Sequence, residues 1–361
     1  MRVFRILALV LVFALISAAA LADIRSANEI AKTEMDKLPE EARVINVFTW
    51  EYYVPDEVVD EFVNATGAKV NYSTFSMNEE MLSMLQQMSS QYDLIVCSDY
   101  IIDIMREANM LELIDPARIA NYGNIDPAYQ SQYYDPDNLV SIPYTNTIPL
   151  IVYDPDKVDF EVTGYADLWR EEFTGKLAVI DDMRNIIGMA QKKLGYSYNE
   201  TDPVKMAEVT DELMKLKPNI AVFNADTPHN ALIGGDAIAG FMFGSQIIAA
   251  QEDIPGLKVV YPCEGLGFGI DSFVIPVKPP HLDATYIFLN YLLDGEVSAY
   301  ASSLINYGNC NTAAPEFMTE EFKADASVNP PADLVAQAEM IFALPGDANR
   351  LYDDIWTEFR K

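Results

Sequence analysis

The residues best placed for chemistry are Trp50, Tyr53, Ser98 and Tyr100, which follow the ends of strand-like runs between positions 44 and 100. VINVFTWEYYVP is a strand-like run that ends in aromatics, and YDLIVCSDYIIDIM passes through Ser98 and Asp99 into a helical pattern. Between them lie an amphipathic segment closed by Ala65, Thr66 and Gly67, the run VNYSTF and a long Met-rich helical stretch. This order of strand, helix, strand, helix, strand, helix puts the four side chains at one rim of an open α/β sheet, where such folds bind ligands. Farther along, Asp271 interrupts the apolar strand IDSFVIP, where an uncompensated charge is costly, so it either faces a cleft or pairs locally. Asp181 and Asp182 directly precede a helical stretch, so each also reads as a helix cap. Asp99 reads equally as a ligand contact or as part of a solvated loop.

Other reactive side chains offer less. Cys97, Cys263 and Cys310 have no C-x-x-C spacing, so neither a zinc site nor a thioredoxin-type site is indicated. His229 and His281 have no partner at ligand spacing, and no catalytic triad or metal site is expected. Met77, Met81, Met84 and Met88 recur at helical spacing, which predicts core packing on one face.

The elements that must position these residues begin after a leader. Positive charge in Met1 to Arg5, an apolar run from Ile6 and the small residues Ala20, Leu21 and Ala22 predict an export signal cleaved after Ala22. An exported, soluble protein is expected, which in a bacterium with two membranes means the periplasm. Loss of Arg2 and Arg5 takes the net charge from −31 to −33. Such a charge repels nucleic acid and anionic membranes and concentrates cations, so nucleic-acid binding is excluded. The remaining 339 residues exceed what one core usually organises.

After a polar lead-in over 23–43, the α/β rhythm holds to about Pro143, where SIPYTNTIPLIVYDPDKV reads as extended. A second alternation follows: YADLWREEFTGKLAVIDD as helix then strand, two more helices then a strand, and AIAGFMFGSQIIAAQEDIPGLKVVYP as strand, helix, strand. GLGFGIDSFVIPV is a second long extended segment, followed by helical residues from Ala284 to Ser303 and a terminal helix around Leu351 to Phe359. Alternation of this kind argues for mostly parallel sheets flanked by helices. The reading is an α/β protein with one lobe of 44–149 and 271–318, a second of 150–270 and 319–361, and a hinge of two strands.

Taken in order, FTWEYYVPDEVVDEFVNATGAKVNYSTFSMNEEM, SIPY, ADLWREEFTGKLAVIDDMRNIIGMAQKKLGYSYNETDP, IDSFVIP and INYGNCNTAAPE give the chain its clearest kinship. From about Val44 to the C terminus it resembles the periplasmic polyamine-binding proteins that feed spermidine and putrescine importers. The resemblance implies a two-lobed type II periplasmic-binding fold, a monomer without cofactor, and delivery of a small organic cation to the permease subunits of an ABC transporter. It places the family's aromatic pair on Trp50 and Tyr53, its serine and tyrosine on Ser98 and Tyr100, its carboxylates on Asp182 and Asp271, and its late aromatic on Tyr307. Carboxylates would hold the ammonium ends of a flexible rod while aromatic faces line its methylenes, each cation–π contact contributing about 0.5 to 2 kcal/mol.

The chain also departs from that pattern. Asn185 stands where spermidine binders carry a second acid, Met242 and Gly269 stand in place of a pair of tryptophans, and Phe342 falls near a late glutamine. Asp99 is the candidate replacement acid, and Gly269 is expected to widen the cleft. Two alternatives therefore stay open: a different cationic amine on the same fold, or a sensing protein that presents its closed form to a receptor. A remote third is a thiaminase-like enzyme with Cys97 as nucleophile, opposed by Asp99, whose charge would raise the thiol pKa.

Overall fold

The computed structural model describes residues 24–361. The expected export leader and its expected cleavage site lie outside the described residues. Among those residues no helix is long and apolar enough to cross a membrane. The polar lead-in is helical over its described residues 24–35 (α1), with Ile24, Ala27, Ala31 and Met35 buried along one face.

The chain divides into two compact units. The first contains the chain through Thr145 with Asp271–Ile305 and Asn309–Lys323; the second contains Asn146–Ile270, Asn306–Gly308 and Ala324–Lys361. The divisions fall a few residues from those expected at 149 and 318. The segment 306–308, expected with the first lobe, groups with the second, and Tyr307 moves with it.

In the first unit the elements run β1 (Val44–Thr49), α2 (Asp56–Thr66), β2 (Lys69–Thr74), α3 (Asn78–Met88), β3 (Leu94–Ser98) and α4 (Asp99–Glu107). The helix α2 forms because Val58, Val59, Phe62 and Thr66 fall on one face, while Asp56 and Glu57 favour the positive end of the helix dipole. It stops at Gly67, whose φ of 68° suits a residue without Cβ and whose N–H returns to the Val63 carbonyl at 2.8 Å. β1 pairs in parallel with β2 and β3, as βαβ connections require. The returning strand β10 (Gly267–Val274) then joins β3 antiparallel, with Asp271 opposite Ser98 and Ser272 opposite Cys97. β4 (Ile142–Thr147) lies beyond β10 in the order β4-β10-β3-β1-β2. The sheet is mixed because β10 enters from a distant part of the sequence. The expected helical stretch 284–303 is split into α9 (Leu282–Leu292) and α10 (Gly295–Ile305). The methionine stripe is only partly core: Met81 is buried in α3, whereas Met77 precedes the helix and is 52% exposed.

In the second unit the sheet order is β7-β6-β8-β5-β9, formed by Ile220–Phe223, Leu177–Val179, Ala239–Phe243, Pro149–Tyr153 and Lys258–Val260. β6 pairs in parallel with β7 and β8, while β5 pairs antiparallel with β8 and β9. The helix expected from YADLWREEF is instead two short 3-10 turns, Tyr165–Trp169 and Glu171–Phe173. Asp202 caps α6 (Pro203–Leu216), accepting from the N–H groups of Val204 and Lys205, with Pro203 in the first turn where its missing N–H is no loss.

Glu339 in β12 (Glu339–Met340) ties this unit's α5 (Met183–Lys193) to the strand segment. It accepts from Lys192 Nζ, from Ser197 Oγ at 2.7 Å and from the Tyr198 N–H at 2.9 Å. Burial alone would raise its pKa, but these donors prevail and hold the carboxyl below the usual glutamate range. A depressed folded-state pKa adds stability above the ordinary glutamate value of about 4.3 and loses it as the pH falls through the folded value. Glu339→Gln should therefore lower the melting temperature near neutral pH, and the difference from wild type should fade toward about pH 3. A difference that persists unchanged in acid would show that packing, and not the charge, sets the effect.

Candidate functional site

The register of β10 against β3 brings together residues 173 positions apart, because Asp271 and Ser98 are opposite each other and share one sheet face. Ser98 Oγ donates to Asp271 Oδ1 at 2.6 Å, and the Tyr53 hydroxyl donates to Asp271 Oδ2 at 2.5 Å. A phenol carries one proton, so Thr145 Oγ1, 2.6 Å from the Tyr53 oxygen, is the donor in that contact. Asp271 as a whole is 6% exposed. Asp271 thus pairs locally with two hydroxyls, one of the outcomes its place in an apolar strand required.

Asn78, the first residue of α3, extends the string of hydrogen bonds. Its Nδ2 donates to Ser98 Oγ at 3.1 Å and to the Tyr100 oxygen at 3.2 Å, while its Oδ1 accepts from the Ser98 N–H at 3.4 Å. Tyr100 in turn donates to Glu79 Oε1 at 3.0 Å. Aromatic packing fixes the other side. Trp50, half-buried beyond β1, meets Tyr53 at 5.2 Å and Phe75 at 4.9 Å between ring centroids, and Tyr53 meets Tyr144 edge-on at 5.9 Å. The turn that sends Tyr53 inward passes through Tyr52, whose φ of 58° is unusual for a bulky side chain.

Trp50, Tyr53, Ser98, Tyr100, Asp99 and Asp271 therefore all lie in the first unit. Asp99 is not in a solvated loop: it is the first residue of α4, is 1% exposed, and its Oδ1 accepts from the Tyr100 N–H at 2.7 Å. Its charge suits the positive end of that helix. Sequence reading missed Asn78, Glu79 and Thr145. Asn78 and Glu79 carried the signal of a polar pair opening a helix, which reads first as capping.

Asp182 and Tyr307 belong to the second unit. Asp182 caps α5, accepting from the Asn185 N–H at 2.8 Å, so its capping role is real. Burial pushes its carboxyl above the usual aspartate range, against the lowering influence of the Asn185 donor and the Arg184 cation. Tyr307 packs 6.3 Å from Phe243 and lines a small cavity with Thr147, Asn306 and Ser327.

The departures take definite positions within this unit. Asn185 is 6% exposed, and its Oδ1 and carbonyl each accept from the Tyr198 hydroxyl at 3.3 Å. Met242 is fully buried in β8, opposite Leu150. A Cβ at Gly269 would come 3.2 Å from Thr147 Oγ1, so a side chain there would press on β4. Phe342 is exposed, and its carbonyl accepts from Arg184 Nη1 at 2.8 Å.

The three cysteines are free thiols. Cys97 is fully buried, and burial together with the charges of Asp271 and Asp99 pushes its thiol well above the ordinary value. That is the reverse of the environment that activates a nucleophile.

The comparisons with known proteins agree on one kinship. The profile described as "Bacterial extracellular solute-binding protein" matches residues 57–330. The spermidine/putrescine-binding periplasmic protein of Salmonella typhimurium is 35% identical over 316 residues, covering 87% of this chain and 90% of its own. The putrescine-binding periplasmic protein of Escherichia coli is 27% identical over 354 residues, 92% of this chain and 96% of its own. Among solved structures, the spermidine/putrescine ABC transporter substrate-binding protein of Streptococcus pneumoniae superposes with a TM-score of 0.77 at 30% identity, covering 88% of this chain and 98% of that one. With the profile spanning most of the chain and a relative of this identity along nearly all of it, the chain belongs to the bacterial extracellular solute-binding proteins and has their two-lobed α/β fold.

Proposed function

We propose that this chain is the extracytoplasmic solute-binding component of an ABC importer and that its ligand is a polyamine of the spermidine and putrescine class. The observation that carries the reading is the Asp271 carboxylate, oriented by Ser98 and by Tyr53, whose ring packs against Trp50. A buried carboxylate oriented by hydroxyls can accept a charge-assisted hydrogen bond from a cation, and adjoining ring faces attract the same cation and cover its methylenes. The relatives named for spermidine and putrescine support the ligand class. Asp182 and Tyr307, which belong to the second unit, are also proposed as ligand residues, and permease subunits are the macromolecular partners. The protein works as a binder in the periplasm, without catalysis, and the buried, poorly acidic Cys97 thiol supports that reading.

A second reading keeps the fold and changes the amine. Asn185 presents a neutral amide engaged by Tyr198, which favours a ligand with fewer cationic groups than spermidine. Calorimetric titration of the ligand-stripped protein with spermidine, putrescine, agmatine, choline and arginine separates the two. Tight one-to-one binding of spermidine supports the first reading, and selective binding of putrescine or agmatine supports the second. Absence of heat for every amine would refute both.

A further inference from the structure

We infer that Glu79 is a second carboxylate of the ligand site, set to take an ammonium group of the same linear amine that Asp271 holds. The inference rests on the polyamine reading and deepens it. Four hydrogen bonds run through shared atoms from Asp271 Oδ1 to Ser98 Oγ, Asn78 Nδ2, the Tyr100 oxygen and Glu79 Oε1, with lengths of 2.6, 3.1, 3.2 and 3.0 Å. Because each bond starts on the atom where the last one ends, the two carboxylate oxygens are no more than about 12 Å apart. Two ammonium groups joined by a short methylene chain fit within that limit.

The two acids are built for different tasks. Asp271 is buried and held by hydroxyls from two sides, whereas Glu79 is exposed in the first turn of α3, with its carboxylate fixed by the Tyr100 hydroxyl. An exposed carboxylate at the edge of a buried one attracts a cation from solvent and then holds the ammonium that stays nearer water. The string also answers a question left by Asn185. Glu79 supplies an acid that the resemblance did not point to, on a residue whose position at a helix start hides it among ordinary first-turn acids.

Glu79→Gln and Glu80→Gln remove the same charge from the same helical turn, but only Glu79 is joined to Tyr100; the described bond of Glu80 is from the Ser76 N–H. Calorimetric titration with spermidine and with putrescine should show Glu79→Gln weakened about three- to ten-fold for at least one of them. Glu80→Gln should stay within about two-fold of wild type. The Glu79 effect should shrink as salt rises from about 0.01 to 0.15 M, because exposed charges are screened. Tyr100→Phe, which keeps the charge and removes its anchor, should give a smaller loss in the same direction. Equal losses in Glu79→Gln and Glu80→Gln would reduce the effect to net charge and overturn the inference, as would a Glu79→Gln affinity matching wild type. In both cases tight wild-type binding would leave the polyamine reading standing, whereas a wild type that binds neither amine would remove both.

Discussion

Asp271→Asn should weaken amine binding by about 2 to 5 kcal/mol, the range for truncating one partner of a buried, hydrogen-bonded charge pair. Asp271 is 6% exposed, so solvent screens an ion pair there only weakly, and its two carboxylate oxygens are held at 2.5 and 2.6 Å by Tyr53 and Ser98. Asparagine preserves the shape and one acceptor oxygen. Its amide nitrogen would face one of the two hydroxyls, which can rotate to accept, so the fold should survive. Titration with the tightest-binding amine of the panel reads the effect, and thermal unfolding checks that the variant is folded. An affinity within error of wild type, in a folded variant, would remove Asp271 from the site and with it the observation on which the proposed function stands.

The same residue shows what a sequence can and cannot disclose. A charge inside IDSFVIP announces itself because burial without compensation is costly, and Ser98 announces itself by ending an apolar strand. That the two meet depends on an antiparallel register between β3 and β10, and no local pattern encodes a pairing across that length of chain. The helical and strand segments of the first unit were legible for the opposite reason. Amphipathic spacing in α2 and a glycine stop at Gly67 are local signals, each with a local physical cause. The failures share the same logic. YADLWREEF has helical composition but forms separate 3-10 turns, so tertiary packing overrode propensity. Asp99 was ambiguous because a residue between strand and helix can be solvated or buried, and only the docking of α4 makes it 1% exposed. Asn78 and Glu79 were missed because a polar pair opening a helix is explained by capping before any site is considered.

The largest effect on stability should come from Asp93, which no ligand reading includes. It is fully buried just before β3, and its carboxylate accepts from four donors. Oδ2 takes the Asn46 N–H at 2.8 Å, Asn46 Nδ2 at 2.9 Å and His281 Nδ1 at 3.0 Å, while Oδ1 takes the His281 N–H at 2.6 Å. Asn46 is in β1, its Oδ1 accepts from Asn71 of β2 at 2.8 Å, and His281 precedes the first turn of α9. One side chain therefore fastens the central strands of the first unit to a helix that arrives 188 positions later. Asp93→Ala would leave buried backbone and amide donors without acceptors, each costing about 1 to 3 kcal/mol, so a loss of about 3 to 5 kcal/mol is expected. Asp93→Asn, which keeps an acceptor oxygen, should cost less, and His281→Ala, which keeps the backbone bond, less again. Because two units need not unfold together, denaturant unfolding should be followed by probes in each, and the destabilisation should appear in the first unit's transition. An unfolding free energy for Asp93→Ala within about 1 kcal/mol of wild type would mean that water or a rearranged loop replaces the carboxylate, and that packing of the sheet against α9 holds the unit without it.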